Sequence, residues 1–137
     1  MRKSLFRIFS FMLVANMAMA AGPAVFEDMN LSDALAKGKS EDKAVLVKFD
    51  ATWCGYCRAM DARTFSNNDV ESSLSDYISI KVDVDTEEGK ALARQYGVRG
   101  TPYIAVFNSS GKIIHSQPGY QGPEDFMRTM AAVDKKK

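Results

Sequence analysis

Only two cysteines occur in the chain, Cys54 and Cys57, with two residues between them in the segment WCGYC. Thiols at that spacing can close a disulfide and reopen it by exchange with another disulfide. As a staple the bridge would be weak, because closing so short a loop removes little entropy from the unfolded chain. Zinc is a poor alternative, since a structural site needs about four ligands and the only histidine, His115, lies far along the sequence. The pair therefore reads as redox chemistry that uses neither metal nor other cofactor.

The flanking sequence tells the two thiols apart. Ala44 to Phe49 is a β-rich run that reads as a buried strand, and a helix is expected to begin near Cys54 and run through Ala62. A sulfur at a helix N-terminus faces unpaired amide groups and the positive end of the macrodipole, which favour the thiolate. Cys54 is thus the expected nucleophile. Cys57, one turn further in and more enclosed, suits the resolving role: it attacks the mixed disulfide and releases the partner. Trp53 offers a flat apolar surface on which a partner chain can rest, core packing being the alternative. Arg58 is expected to reach solvent.

The other elements follow from caps, periodicity and turn residues. A short helix over Leu31 to Lys37 can be capped by Asn30 or Ser32 and ended by Gly38. The helix after Cys54 is expected to break at Ser66-Asn67-Asn68 and resume over Asp69 to Leu74. Tyr77 to Val84 reads as a strand, and Thr86 caps a helix that Gly97 terminates. Tyr103 to Phe107 and Lys112 to Gln117 form a hairpin around NSSG, and Pro123 to Val133 is a closing helix with proline at its start. The order β-α-β-α-β-β-α predicts an α/β domain whose mixed central sheet carries helices on both faces. Met60, Met127 and Met130 read as core residues, and His115 as a solvent-facing one.

With 137 residues, 46% of them apolar, the chain suits one domain with a core of its own. A net charge of +1 and the lack of any basic patch interleaved with aromatics give no sign of nucleic-acid binding. The start of the chain differs: Arg2, Lys3 and Arg7 precede an apolar run from Ile8 to Ala18, and Ala18-Met19-Ala20 supplies small residues for a signal peptidase. Residues 1–20 are read as a secretory signal cleaved after Ala20, with residues 21–137 as one exported domain not inserted in the membrane. The alternative is an uncleaved anchor, although the run falls short of the roughly 20 residues that span a bilayer. Cleavage removes three of the 18 basic and none of the 17 acidic residues, leaving a net charge of −2. In an oxidising compartment thiols pair and persist as disulfides.

From about Met29 to Val133 the sequence resembles the thioredoxin superfamily. The resemblance rests on W-C-x-x-C at Trp53 to Cys57, the strand IKVDVD at Ile80 to Asp85, and YGVRGTPYIAVF at Tyr96 to Phe107, in that order. It implies the thioredoxin fold and a thiol–disulfide oxidoreductase acting on protein thiols and disulfides as a monomer, with an upstream redox partner. Pro102 would be the family's cis-proline, leaving the Thr101 backbone free to pair with an extended substrate, and Gly119 the glycine before the closing helix. CRAMDARTF is similar to the thioredoxin-like domain of the periplasmic disulfide-reducing electron carrier, which favours a reductase. Gly55-Tyr56 is similar to the pair in periplasmic isomerases, which keeps an isomerase or weak oxidase open. A non-catalytic chaperone or binding module is the rival from another class, but such a module has no use for a reactive pair.

Lys48 departs from the family, which usually places a buried acid there to assist the resolving cysteine. Charged, Lys48 would favour the Cys57 thiolate; desolvated, it could serve as a base. A lysine snorkelling to the sheet edge near Asp50 is the third alternative.

Overall fold

The computed structural model describes residues 23–137, and the expected signal segment lies outside the described residues. The elements are α1 (Leu31–Glu41), β1 (Ala44–Asp50), α2 (Gly55–Met60), α3 (Asn68–Ser73), β2 (Tyr77–Asp83), α4 (Glu87–Gln95), β3 (Tyr103–Phe107), β4 (Ile113–Pro118) and α5 (Pro123–Asp134), with a π turn at Asp61–Phe65 continuing α2. The sheet order is β2-β1-β3-β4. β1 runs parallel to β2 and antiparallel to β3, which pairs with β4 as a hairpin. This is the mixed α/β sheet of the thioredoxin fold.

Alternation along β1 divides the core in two. Leu46 faces one side with Met60, Phe65, Val70 and Phe126, under α2, α3 and α5. Val45, Val47 and Phe49 face the other side with Leu31, Ala34, Ile78 and Ile80, where Leu92 and Tyr96 of α4 also pack. Met60 and Met130 are buried and Met127 packs against the first cluster. Among the described residues no helix is long and apolar enough to cross a membrane.

Three expectations change. Gly38 does not end α1; the helix continues to Glu41, and Asp42 takes the left-handed conformation with φ 52°. The glycine is there for space, because a Cβ would lie 2.8 Å from both the Lys43 carbonyl oxygen and Val45 Cγ2. The helix after Cys54 does not fade at Ala62: it widens into the π turn, where Ser66 Oγ donates to the Asp61 carbonyl at 2.7 Å. His115 is half-buried on β4 rather than solvent-facing, and its Nε2 has no partner.

Candidate active site

The site forms where three chain reversals meet at one end of the sheet. β1 runs out of the sheet into Cys54, and the antiparallel register Phe49↔Tyr103 brings the entry to β3, with Thr101 and Pro102, to the same end. The parallel register Asp50↔Asp83 adds the segment after β2. Topology, not local sequence, thus gathers residues spread over some fifty positions.

Cys54 is the N-cap of α2, and the amide of Cys57 donates to its Sγ at 3.1 Å. That donor, with the rest of the helix end behind it, stabilises negative charge on Sγ once the bond opens. The two sulfurs are bonded, with Cα atoms 5.3 Å apart. Both residues are buried, but Cys54 is the shallower at 5% exposure against 1% for Cys57. Ala51 and Val84 pack against the pair.

Trp53 is 66% exposed, which excludes the core reading, and its indole N–H donates to Asp85 Oδ2 at 2.8 Å. Tyr56, between the cysteines, is 71% exposed and lies with its ring centroid 6.4 Å from that of Tyr120. Trp53, Tyr56 and Tyr120 are the exposed large apolar side chains among the described residues, and such clustering marks contact surfaces. Arg58 is exposed and donates to the Thr52 carbonyl.

The Thr101–Pro102 peptide is cis. Pro102 is buried, and its carbonyl accepts the Gly119 amide at 2.9 Å, which fixes the turn that carries Tyr120. Gly100, Thr101, Pro102 and Gly119 line a shallow groove of about 410 Å³ together with Arg99 and Tyr103. The peptide groups from Arg99 to Thr101 belong to no helix or strand, and Thr101 Oγ1 is buried without a partner.

Lys48 lies on the face of β1 that carries Leu46 and Asp50, and it is fully buried, which rules out snorkelling. Its Nζ reaches Asp50 Oδ2 at 2.8 Å, Asp61 Oδ1 at 2.7 Å and the Cys57 carbonyl oxygen at 3.1 Å. An ammonium has three protons and no acceptor, so three acceptors match the charged form. Sequence reasoning singled out Lys48 and missed most of its surroundings. Asp61 stands four residues after Cys57, on the same helical face, and Lys81 stands directly beside Lys48 in the parallel register. Asp85 and Tyr120 were likewise missed, Tyr56 was singled out only for its place between the cysteines and not for its exposure beside Tyr120, and only the helix spacing of Asp61 offered a signal. Among the described residues no group of three or more His, Cys, Asp or Glu side chains is placed to hold a metal ion.

A dithiol/disulfide pair at a helix N-terminus, beside a cis-proline turn on a mixed sheet, defines a thioredoxin-class redox protein. The chain belongs to the thioredoxin-like domain family, whose model matches residues 31–134. It is 35% identical over 102 residues to a protein disulfide-isomerase of Triticum aestivum, a match covering 70% of this chain and 18% of that protein. Its fold is similar to a thioredoxin from Thermus thermophilus, with TM-score 0.71, 29% identity, and coverage of 77% of this chain and 85% of that one. It is similar also to the C-terminal domain of DsbD from Neisseria meningitidis in the reduced form, with TM-score 0.64, 27% identity, and coverage of 74% and 92%.

Proposed function

We propose that the chain is an exported thiol–disulfide oxidoreductase that reduces protein disulfides through Cys54 and Cys57. The observation that carries this reading is the asymmetry of the pair: Cys54 caps a helix and receives an amide on its sulfur, while Cys57 is sealed behind it. The Cys54 thiolate attacks a partner's disulfide, forming a mixed disulfide and expelling one partner sulfur as thiolate. Cys57 then gives up its proton and attacks Cys54. The Cys54–Cys57 bond closes and the partner departs with both its sulfurs reduced. An upstream dithiol protein must restore the reduced pair, at a cost of two electrons and two protons.

The exposed Trp53 and the groove at Thr101 and Pro102 suit an extended partner strand. Likeness to the DsbD C-terminal domain over nearly all of that domain supports the reducing direction. The basic, apolar and small-residue order of residues 1–20 supports export, as a single domain of residues 21–137 acting as a monomer in the periplasm. Equilibration of the purified chain with glutathione tests the direction. The expected potential lies nearer that of thioredoxin, about −270 mV, than the oxidising end near −120 mV. A value close to the oxidising end would overturn the reductase reading. The relatives named protein disulfide-isomerase favour the second reading, and faster rearrangement of a scrambled substrate than net reduction of it would select an isomerase.

A further inference from the structure

Two exposed tyrosines near Cys54 are carried on well-fixed backbone. Tyr120 belongs to no helix or strand, yet the chain is pinned on both sides of it. The Gly119 amide donates to the Pro102 carbonyl at 2.9 Å, and the Gln121 carbonyl accepts from Thr64 Oγ1 at 2.6 Å. Thr64 is fully buried in the π turn that continues the cysteine helix, so the Tyr120 loop is tied to that helix. Gln121 Nε2 adds a bond to Thr129 Oγ1 of α5 at 2.8 Å. Tyr56 sits in the first turn of α2, whose start is closed by the Cys54–Cys57 bond. Both rings are held by their backbone and still face solvent, Tyr56 at 71% and Tyr120 at 37% exposure.

The rings do not satisfy one another. Their planes meet at 46° with centroids 6.4 Å apart, between the stacked and edge-to-face arrangements that aromatic pairs prefer. Their faces diverge into a wedge open to solvent. Topology sets this wedge on one flank of Cys54 and Trp53 on the other: Tyr120 follows β4, Trp53 is bonded to Asp85 after β2, and β4 and β2 are the outer strands with β1 and β3 between them. Charge is sparse around the wedge. Arg58 is turned to the Thr52 carbonyl, Asp85 to the indole of Trp53, and Arg99 is the one charged residue lining the groove at Thr101 and Pro102.

We propose that Tyr56 and Tyr120 form an aromatic wedge that selects protein substrates by an apolar side chain two residues from the cysteine that Cys54 attacks. The bond to Cys54 fixes the register. A partner cysteine joined to Cys54 Sγ points into the site, and in an extended chain its immediate neighbours point away, while the side chains two residues off share its face about 7 Å along. One of these falls on the tyrosine flank and the other on the Trp53 flank. Rings already fixed by their backbone lose little freedom on contact, so little of the contact energy is lost to ordering. The inference deepens the oxidoreductase reading and rests on it, and it leaves the exchange step as written above.

Peptides whose single cysteine is capped by thionitrobenzoate read the selection directly. Attack of Cys54 on the peptide sulfur releases the coloured thionitrobenzoate thiolate and leaves the peptide on Cys54; Cys57 then closes the Cys54–Cys57 bond and frees the peptide thiolate. With the reduced chain, phenylalanine or leucine in place of serine two residues from the cysteine, on one side, should raise the second-order rate about tenfold, as expected when roughly half of such a side chain leaves water. The same exchange next to the cysteine should move the rate by no more than about twofold, its side chain being directed away from the rings. Tyr120→Ala should bring the ratio between the two peptides close to one, Tyr56→Ala should lower it, and Tyr120→Phe should keep it, because the contact is with the ring face. The ratio is taken within each variant, so any change in thiol reactivity cancels. A ratio of one in the parent, a ratio that survives both alanine variants, or a preference for acidic residues that disappears in Arg99→Ala would overturn the proposal and leave the oxidoreductase reading standing. A reduced chain that reacts with none of the peptides faster than free glutathione does would overturn that reading and this inference with it.

Discussion

At the scale of single residues, exchange depends on one sulfur being reachable and the other enclosed. Cys54 holds the shallower position and the helix-end amide, so alkylation of the reduced chain across pH should modify it first, with an apparent pKa below the ordinary value of about 8.5. Faster modification of Cys57 would reverse the roles. Cys57→Ser should accumulate mixed disulfides at Cys54 with proteins of the same compartment, since nothing remains to resolve them; a variant that traps nothing there would favour a binding module. Trp53 is the only tryptophan, so its fluorescence reports this site alone. Asp85→Ala removes the acceptor of its indole N–H and should change both the emission and the rate of exchange, with little loss of stability. The cysteines could be read from sequence because their chemistry lies in local spacing. The charged groups around Lys48 could not, because Lys48, Asp61 and Lys81 meet only after β1, the cysteine helix and β2 have packed.

At the scale of elements, caps and periodicity located every helix and strand of the described chain within a few residues. Asn30 and Thr86 cap as their types suggest, accepting from the Asp33 and Gly89 amides. What sequence could not reveal was tertiary crowding. Gly38 looks like a terminator and Gly89 like a defect in α4, yet both are where other backbone comes close. A Cβ on Gly89 would fall 1.8 Å from the Asp83 carbonyl oxygen, whereas on Gly38 the nearest atoms are 2.8 Å away. Alanine in a helix gains about 1 kcal/mol over glycine, but forced overlap in packed surroundings costs about 1–3 kcal/mol or more. Gly89→Ala should therefore be clearly destabilising in denaturant unfolding and Gly38→Ala less so. Because Asp83 adjoins the segment carrying Asp85, only Gly89→Ala should also perturb Trp53 fluorescence. Equal stability of both variants to the parent would refute the crowding account.

At the scale of the whole molecule, a half-buried histidine and a buried tyrosine set opposite limits of stability. Burial, and then the charge of Lys136, holds the His115 imidazole below its ordinary range. A depressed folded-state value contributes stability above the unfolded pKa, about 6.5, and loses it as pH falls below that. His115→Gln should flatten the acid limb between roughly pH 7 and 5. The alkaline limb belongs to Tyr77, which ties the start of β2 to the end of α5. Its hydroxyl donates to Asp134 Oδ1 at 2.6 Å, and Lys137 Nζ both pairs with Asp134 at 2.7 Å and lies 3.7 Å from the ring centre. Burial would raise the Asp134 carboxyl, but the hydrogen bonds from Lys137 and Tyr77 outweigh it and hold it low. Burial, and next the hydrogen bond to Asp134, pushes the Tyr77 hydroxyl far above its usual range. A raised folded-state value means that the folded chain keeps a proton that the unfolded chain releases. The stabilisation is complete below the unfolded pKa, about 10, and is lost as pH rises beyond it. Tyr77→Phe should cost about 1 kcal/mol at neutral pH through the lost hydrogen bond, and the gap should close above pH ~10. Unfolding curves for parent and variant across that range provide the check, the lysines common to both cancelling in the difference. Two curves that stay parallel from neutral to strongly alkaline pH would show that Tyr77 is no proton-holding clamp between β2 and α5.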